Sequence, residues 1–266
     1  MKRGVCVSLK ELNILIEYLK KCDKKMLDFV DLSGTELCDL TVKETETLAK
    51  YLHKYQIPCT GIHASFPADI KFVGKGRSTA SLEDYTKRLA ERCDILDCKK
   101  IGIGSPASRL RDADISEEET DKQMLDTLLR IRQLAENQMI LLESIQPAET
   151  NYINSAKHVE ELVDRLNDPC VGIICDIYHF FCCREQIECL DSAFWSKVFY
   201  LHIADPNGRR YLSKSTDSFF IEYTREILTR AYRADSISVE AGTEQITEEL
   251  AECLGILQSL ESEMNL

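Results

Sequence analysis

One pattern constrains this chain more than any other: short apolar runs and longer segments of helical period alternate eight times over 266 residues. The runs fall at 4–8, 26–32, 59–65, 99–104, 139–145, 171–177, 198–204 and 236–240. Most are continuously apolar, as expected of strands covered on both faces. Amphipathic stretches lie between them at 42–56, 81–96, 117–136, 155–166, 216–233 and 243–262. In the first of these, Leu48, Leu52 and Tyr55 recur at i, i+4 and i+7, one face of a helix. Cap signals stand at the junctions: Ser8 before the first helix, Thr41 before the second, and Ser116 with Glu119 three later as a capping box.

Eight such units in this length predict an α/β chain folded as a single (β/α)8 TIM barrel over 1–266, with nothing left for a second domain. The rival is a doubly wound open sheet, which carries a Gly-rich phosphate turn after its first strand. Here Ser8-Leu9-Lys10-Glu11 stands in that place.

Composition narrows the function classes. With 44% hydrophobic residues and only 11 Gly and 6 Pro, the chain reads as a packed globule. The formal charge of −12 repels phosphate backbones, so no nucleic-acid partner is expected. No apolar run approaches 18 residues and the N-terminus enters a strand-like run at once, so neither a membrane span nor a signal peptide is expected. The 12 cysteines include no C-x-x-C pair. They sit in apolar runs (Cys6, Cys59, Cys175) or helical patterns (Cys22, Cys93, Cys253). We read them as buried small hydrophobes in a reducing cytoplasm.

Barrel enzymes work at the C-terminal ends of their strands. Strand five ends in Leu142-Glu143-Ser144, strand six in Cys175-Asp176-Ile177-Tyr178-His179, strand seven carries Leu201-His202-Ile203, and strand eight ends in Val239-Glu240. Four consecutive strands thus each present a carboxylate or imidazole after apolar residues. Burying such groups singly costs several kcal/mol each, and one shared cation would compensate them together. Three carboxylates and an imidazole suit one divalent ion: Mn2+, Mg2+, Co2+ or Zn2+. Glu143, Asp176, His202 and Glu240 are the candidate ligands. His63, ending strand three, points at the mouth and is a candidate for substrate binding or for packing alone. His53 and His158, in helical segments among charged residues, read as solvated.

These residues resemble the xylose isomerase-like barrel superfamily of sugar isomerases and epimerases, of which endonuclease IV is a distant relative. Glu143 to Asn151 is similar to the strand-five motif of ketose 3-epimerases. The resemblance implies that Glu143 binds metal and that Glu149, six residues on, binds substrate. Asp176-Ile177-Tyr178-His179 matches a D-x-x-H in which the Asp binds metal and the His a substrate hydroxyl. His202-Ile203-Ala204-Asp205 and Val239-Glu240 match the remaining ligand motifs. An arginine is implied six residues beyond His202, but position 208 is Gly, and Arg209 or Arg210 must take the role; Arg209 is our candidate. Gln146-Pro147 stands where epimerases often carry Asn-Arg, and Tyr211 to Thr216 replaces a Gly-rich loop.

The expected function is a metal-dependent isomerase or epimerase of a small sugar or polyol, with Glu143 and Glu240 as the acid–base pair acting through an enediolate. A dehydratase of an inositol-derived ketone uses the same parts. A non-catalytic sugar-binding barrel is disfavoured by the intact metal and carboxylate set. An endonuclease IV-like enzyme would need three zinc ions and more than the five histidines present. Arg77, Arg109, Arg111, Arg209 and Arg210 all follow strand ends, as either anion-site or solvated charges. Lys71 to Arg77, with two glycines, reads as a lid or as an ordinary loop. Relatives are often dimers or tetramers, so a homo-oligomer is one implied state.

Overall fold

The computed structural model describes residues 1–21, 27–242 and 246–263. Cys22, Met26 at the start of the second apolar run, and positions 243–245 at the start of the last amphipathic stretch lie outside them. The chain runs β1 (Lys2–Val7), α1 (Leu9–Leu19), β2 (Phe29–Ser33), α2 (Gly34–Asp39), α3 (Val42–Lys54) and β3 (Cys59–His63). It continues through α4 (Thr79–Leu96), β4 (Lys100–Ile103), α5 (Glu117–Leu134), β5 (Met139–Glu143) and α6 (Ala156–Leu166). Then follow β6 (Val171–Asp176), α7 (Ile177–Cys182), α8 (Ser192–Trp195), β7 (Val198–Ile203), α9 (Ser218–Arg230), β8 (Ser236–Val239) and α10 (Ile246–Glu263). All neighbouring strands pair in parallel, and β1 closes on β8 with Val5 opposite Val239. This is the closed eight-stranded α/β TIM barrel expected from the alternation.

Strand period 2 separates two cores. Val30, Leu32, Ile101, Ile103, Ile140, Leu142, Cys175, Leu201, Ile203, Ile237 and Val239 face the helices and join the main apolar cluster. Phe29, Leu141, Ile174 and Tyr200 face inward and form a small separate plug inside the barrel. Two residues further along the same strands, the inward positions are Asp31, Glu143, Asp176 and His202. The polar groups therefore stand above an apolar floor on the same faces of their strands.

Several local expectations need correction. Ser8 and Thr41 form full capping boxes with Glu11 and Glu44, but Ser116 forms half of one. Its Oγ accepts from the Glu119 amide at 3.2 Å, whereas the Glu119 carboxylate accepts from Gln123 Nε2 at 3.5 Å. The crossover after β6, where no amphipathic stretch stands out in the sequence, is built from the short α7 and α8. Cys170, Cys182 and Cys183 are half-buried and Cys189 is exposed, while Cys6, Cys38, Cys59, Cys93, Cys98, Cys175 and Cys253 are buried as expected. His53 is exposed as expected. His158 is not solvated: with Tyr152 and Arg165 it converges on Asp121, its Nε2 lying 2.9 Å from Oδ1, and ties α6 to α5.

The 71–77 segment is pinned down. Phe72 and Val73 are buried, the Phe72 amide donates to the Ser108 carbonyl at 2.8 Å, and the Gly74 amide donates to Gln123 Oε1 at 2.8 Å. Arg77 pairs with Asp126 on α5. Arg111 donates to the Ile115 carbonyl at 3.2 Å. Arg109 is neither a loop charge nor an anion site: it is fully buried, donating to the carbonyls of Glu143 and Ile103 at the ends of β5 and β4.

Candidate active site

A cavity of about 250 Å³ opens at the C-terminal end of the barrel, and His63, Glu143, Glu149, His179, His202, Arg209 and Glu240 all line it. Glu143 ends β5, Asp176 ends β6, His202 lies in β7, and Glu240 follows β8 immediately. One ligand atom from each of Glu143, Asp176, His202 and Glu240 lies within 4.8 Å of the others. That span is about twice a metal–oxygen or metal–nitrogen bond of roughly 2.0–2.2 Å.

The cluster is held by contacts between its carboxylates, imidazoles and one guanidinium, with a few backbone partners. His202 Nδ1 lies 3.1 Å from Glu240 Oε2 and 3.9 Å from Glu143 Oε1. His63 Nδ1 lies 3.7 Å from the other Glu240 oxygen, and its Nε2 faces the Val7 carbonyl at 3.4 Å. Asp176 divides its labour: Oδ1 accepts from the amides of Tyr178 at 2.8 Å and His179 at 3.4 Å, capping α7. Its Oδ2 faces His179 Nε2 and the Arg209 guanidinium, each at 3.7 Å.

Arg209 reaches in from the turn after β7. Asp205 and Arg210 form an antiparallel bridge, and Gly208 and Arg209 both take left-handed backbone angles, with φ of 85° and 50°. The turn doubles back so that Arg209 Nη2 lies 3.1 Å from Glu240 Oε2 and Nη1 3.3 Å from Glu149 Oε1. Arg210 points away and donates to the Asn207 carbonyl at 2.9 Å. Of the two arginines, Arg209 is the one at the cavity.

The electrostatics explain how four such groups coexist. Burial, with the negative charges of Glu240 and Asp176, pushes the Glu143 carboxyl well above its ordinary range. Burial acts on Glu240 in the same sense, but His202, His63 and Arg209 override it and hold that carboxyl well below its usual range. Burial also works against a charged His202, yet Glu240, Glu143 and Asp176 raise its imidazole to about 9. Burial lowers His179, leaving it a neutral imidazole in the wall.

A divalent ion fits this donor set. Glu143 Oε1 is buried with no hydrogen-bond partner, an orphaned carboxylate oxygen of the kind an ion satisfies. Gly104 makes room for the carboxylate: a Cβ there would come within 2.5 Å of its other oxygen, Oε2. Three carboxylates and one imidazole are a hard-to-borderline set.

Sequence reading missed three participants. Gln146 Nε2 donates to Glu149 Oε1 at 2.9 Å and to the Tyr178 hydroxyl at 2.8 Å, so the residue that departs from the epimerase pattern holds Glu149 in place. Tyr178 lies under Arg209, whose guanidinium carbon is 5.1 Å from the ring centre. Asp31, inward on β2, is buried behind His202 at 3.9 Å. A charge in the middle of the run Phe29-Val30-Asp31-Leu32 was its signal. Among the described residues, no helix is long and apolar enough to cross a membrane.

Comparison with known proteins places this geometry in a family. Residues 19–255 match the xylose isomerase-like TIM barrel family. Over 121 residues the chain is 29% identical to inosose isomerase of Bacillus subtilis (strain 168), covering 45% of this chain and 42% of that protein. The chain thus matches well under half the length of that relative. Superposition on a crystal structure of D-psicose 3-epimerase in the presence of D-fructose gives a TM-score of 0.79 at 13% identity, over 98% of this chain and 99% of that one. A zinc-containing crystal structure of the IolI protein gives 0.69 at 20% identity, over 99% and 97%. With nearly nine-tenths of its length inside the family match, the chain belongs to the xylose isomerase-like TIM barrel family.

Proposed function

We propose that this protein is a divalent-metal-dependent isomerase or epimerase of a small, carbonyl-bearing sugar or polyol. The observation that carries the reading is the convergence of Glu143, Asp176, His202 and Glu240 within 4.8 Å at the barrel mouth. In this reading those four side chains hold the ion. When bound, the ion supplies Lewis acidity toward a substrate carbonyl and its neighbouring hydroxyl.

The chain's own residues do the rest. Glu143 and Glu240 approach from strands three apart around the barrel, so they face a bound carbon chain from two sides. One takes the proton α to the carbonyl; the other delivers a proton to the opposite face or to the adjacent carbon. Positioned carboxylates of this kind contribute roughly 10²–10⁴-fold each. Arg209 stabilises the developing negative oxygen, and its tether to Glu149 keeps the guanidinium from swinging into solvent. His179, neutral and fixed by the Gln146 amide 3.4 Å from its Nδ1, and Glu149 bind substrate hydroxyls. His63 orients Glu240 from the far side.

The cavity is smaller than the roughly 300–1,000 Å³ of drug-sized sites, which favours one monosaccharide or one cyclitol over an oligosaccharide. The name of the Bacillus subtilis relative makes a cyclic polyol ketone one of the first compounds to try. The test is a metal-supplemented screen of free and phosphorylated ketoses and inososes in deuterated water, read by NMR. Deuterium entering at the carbon α to the carbonyl without loss of water is the expected result. Exchange followed by water loss would move the reading to a dehydratase, and no exchange on any compound would overturn it.

A further inference from the structure

Behind the four candidate ligands the barrel interior holds a second polar set. Asp31 on β2 is 1% exposed, and its Oδ2 accepts from the Tyr200 hydroxyl at 2.6 Å. Cys6 Sγ lies 3.8 Å from the same oxygen and 3.4 Å from Ser238 Oγ. Asp31 Oδ1 has no hydrogen-bond partner. Room for this carboxylate is built into β3: a Cβ on Gly61 would come within 2.9 Å of Oδ1. A carboxylate in a barrel interior costs several kcal/mol of desolvation unless something positive or proton-donating faces it.

What faces it is the underside of His202. The ring's Nδ1 is turned up toward Glu240 and Glu143, while Nε2 lies 3.9 Å from Asp31 Oδ2. The two nitrogens of one imidazole thus look at two different acidic sets. An imidazole that ligates through one nitrogen carries its proton on the other, and an acceptor behind that proton fixes both tautomer and ring plane. We infer that Asp31 is a positioning residue: it holds the His202 proton on Nε2, leaving Nδ1 as the lone-pair donor at the site above. Tyr200 anchors the carboxylate from below, and its own ring sits 5.4 Å from the His202 ring, packed edge-on. The competing arrangement would put a second, thiophilic ion among Cys6, Asp31 and Nε2, whose ligand atoms also lie within 4.8 Å. It would require one imidazole to serve two cations after losing both ring protons.

The inference rests on His202 being a ligand, as in the proposed function, and the experiment separates the two. Zinc binding is measured by calorimetry on the wild-type protein and on Asp31→Ala, Asp31→Asn and Gly61→Ala. The histidine ring 15N spectrum of the zinc-loaded wild type is recorded alongside. The expected results are zinc on Nδ1 with the proton on Nε2, affinity about 10–100-fold weaker in Asp31→Ala, and partial recovery in Asp31→Asn, which keeps an acceptor oxygen. Gly61→Ala, which crowds Asp31 without removing it, should weaken binding several-fold and serves if Asp31→Ala does not fold. Wild-type zinc on Nε2, a second ion per chain, or unchanged affinity in folded Asp31→Ala would overturn the role of Asp31 alone. A wild-type protein that takes up no zinc, manganese, magnesium or cobalt would overturn the proposed function as well.

Discussion

Arg109 sits behind the site with its guanidinium fully buried, Nη1 donating to the Glu143 carbonyl at 2.6 Å and Nη2 to the Ile103 carbonyl. Burial lowers its pKa to about 10 while the Glu143 charge opposes the fall, so the group stays charged at neutral pH. It bridges the ends of β4 and β5 just beyond the Ile103–Leu142 pair, the last of their ladder. Arg109→Met would strand two buried carbonyls, at about 1–3 kcal/mol each. Urea unfolding should show a loss of about 2–6 kcal/mol; a change below about 0.5 kcal/mol would mean other donors take over. Single residues were the least legible part of the sequence. Arg109 reads as a loop charge because nothing local tells a loop arginine that it will fold back under its own strand. Arg209 could be separated from Arg210 only by the left-handed turn at 208–209, which sequence spacing does not reveal. Glu143, Asp176, His202 and Glu240 were legible because each follows apolar strand residues at an inward position.

At the scale of elements, Asp176 is where a strand, a helix and the site meet. Its Oδ1 caps α7 and its Oδ2 faces the cavity, so the two roles should separate on substitution. Asp176→Asn keeps an oxygen for the cap but loses the charge. Metal binding should fall at least tenfold while thermal stability of the ion-free protein changes little. Asp176→Ala should lose metal binding and, in addition, about 0.5–2 kcal/mol from the cap. Equal stability loss in both variants would show that the cap is immaterial. The short α2, α7 and α8 left no mark in the sequence pattern, but the strands and long helices were readable, because capping residues and apolar periodicity agree there. Element ends were less so. The sixth apolar run continues to Ile177, but the Asp176 cap turns the chain into α7 there, and apolar content alone cannot mark that change. The 71–77 glycines suggested a hinge, yet Phe72 and Val73 are buried and the Thr127 hydroxyl of α5 donates to the Phe72 carbonyl at 2.8 Å, long-range contacts that local glycine content does not reveal.

For the whole molecule, the barrel was legible because eight repeats of one pattern leave little topological choice, and closure of β1 on β8 follows from right-handed parallel crossovers. The candidate site's place at the mouth followed from the fold. A larger cleft of about 1,040 Å³ lies beside α7 and α9, lined by Phe181, Phe219 and Tyr223, and contains none of the four candidate ligands. The net charge of −12 also takes on internal structure. Three of its carboxylates are gathered at one point, where Arg209 and, in our reading, a divalent ion offset them. The most direct test of that reading is solvent deuterium incorporation at the carbon α to the carbonyl, compared among wild type, Glu143→Gln and Glu240→Gln at saturating metal. Exchange in the wild type, reduced about 10²–10⁴-fold in each variant with the fold intact, is the predicted result. Full metal-dependent exchange in both variants on every accepted substrate would contradict it.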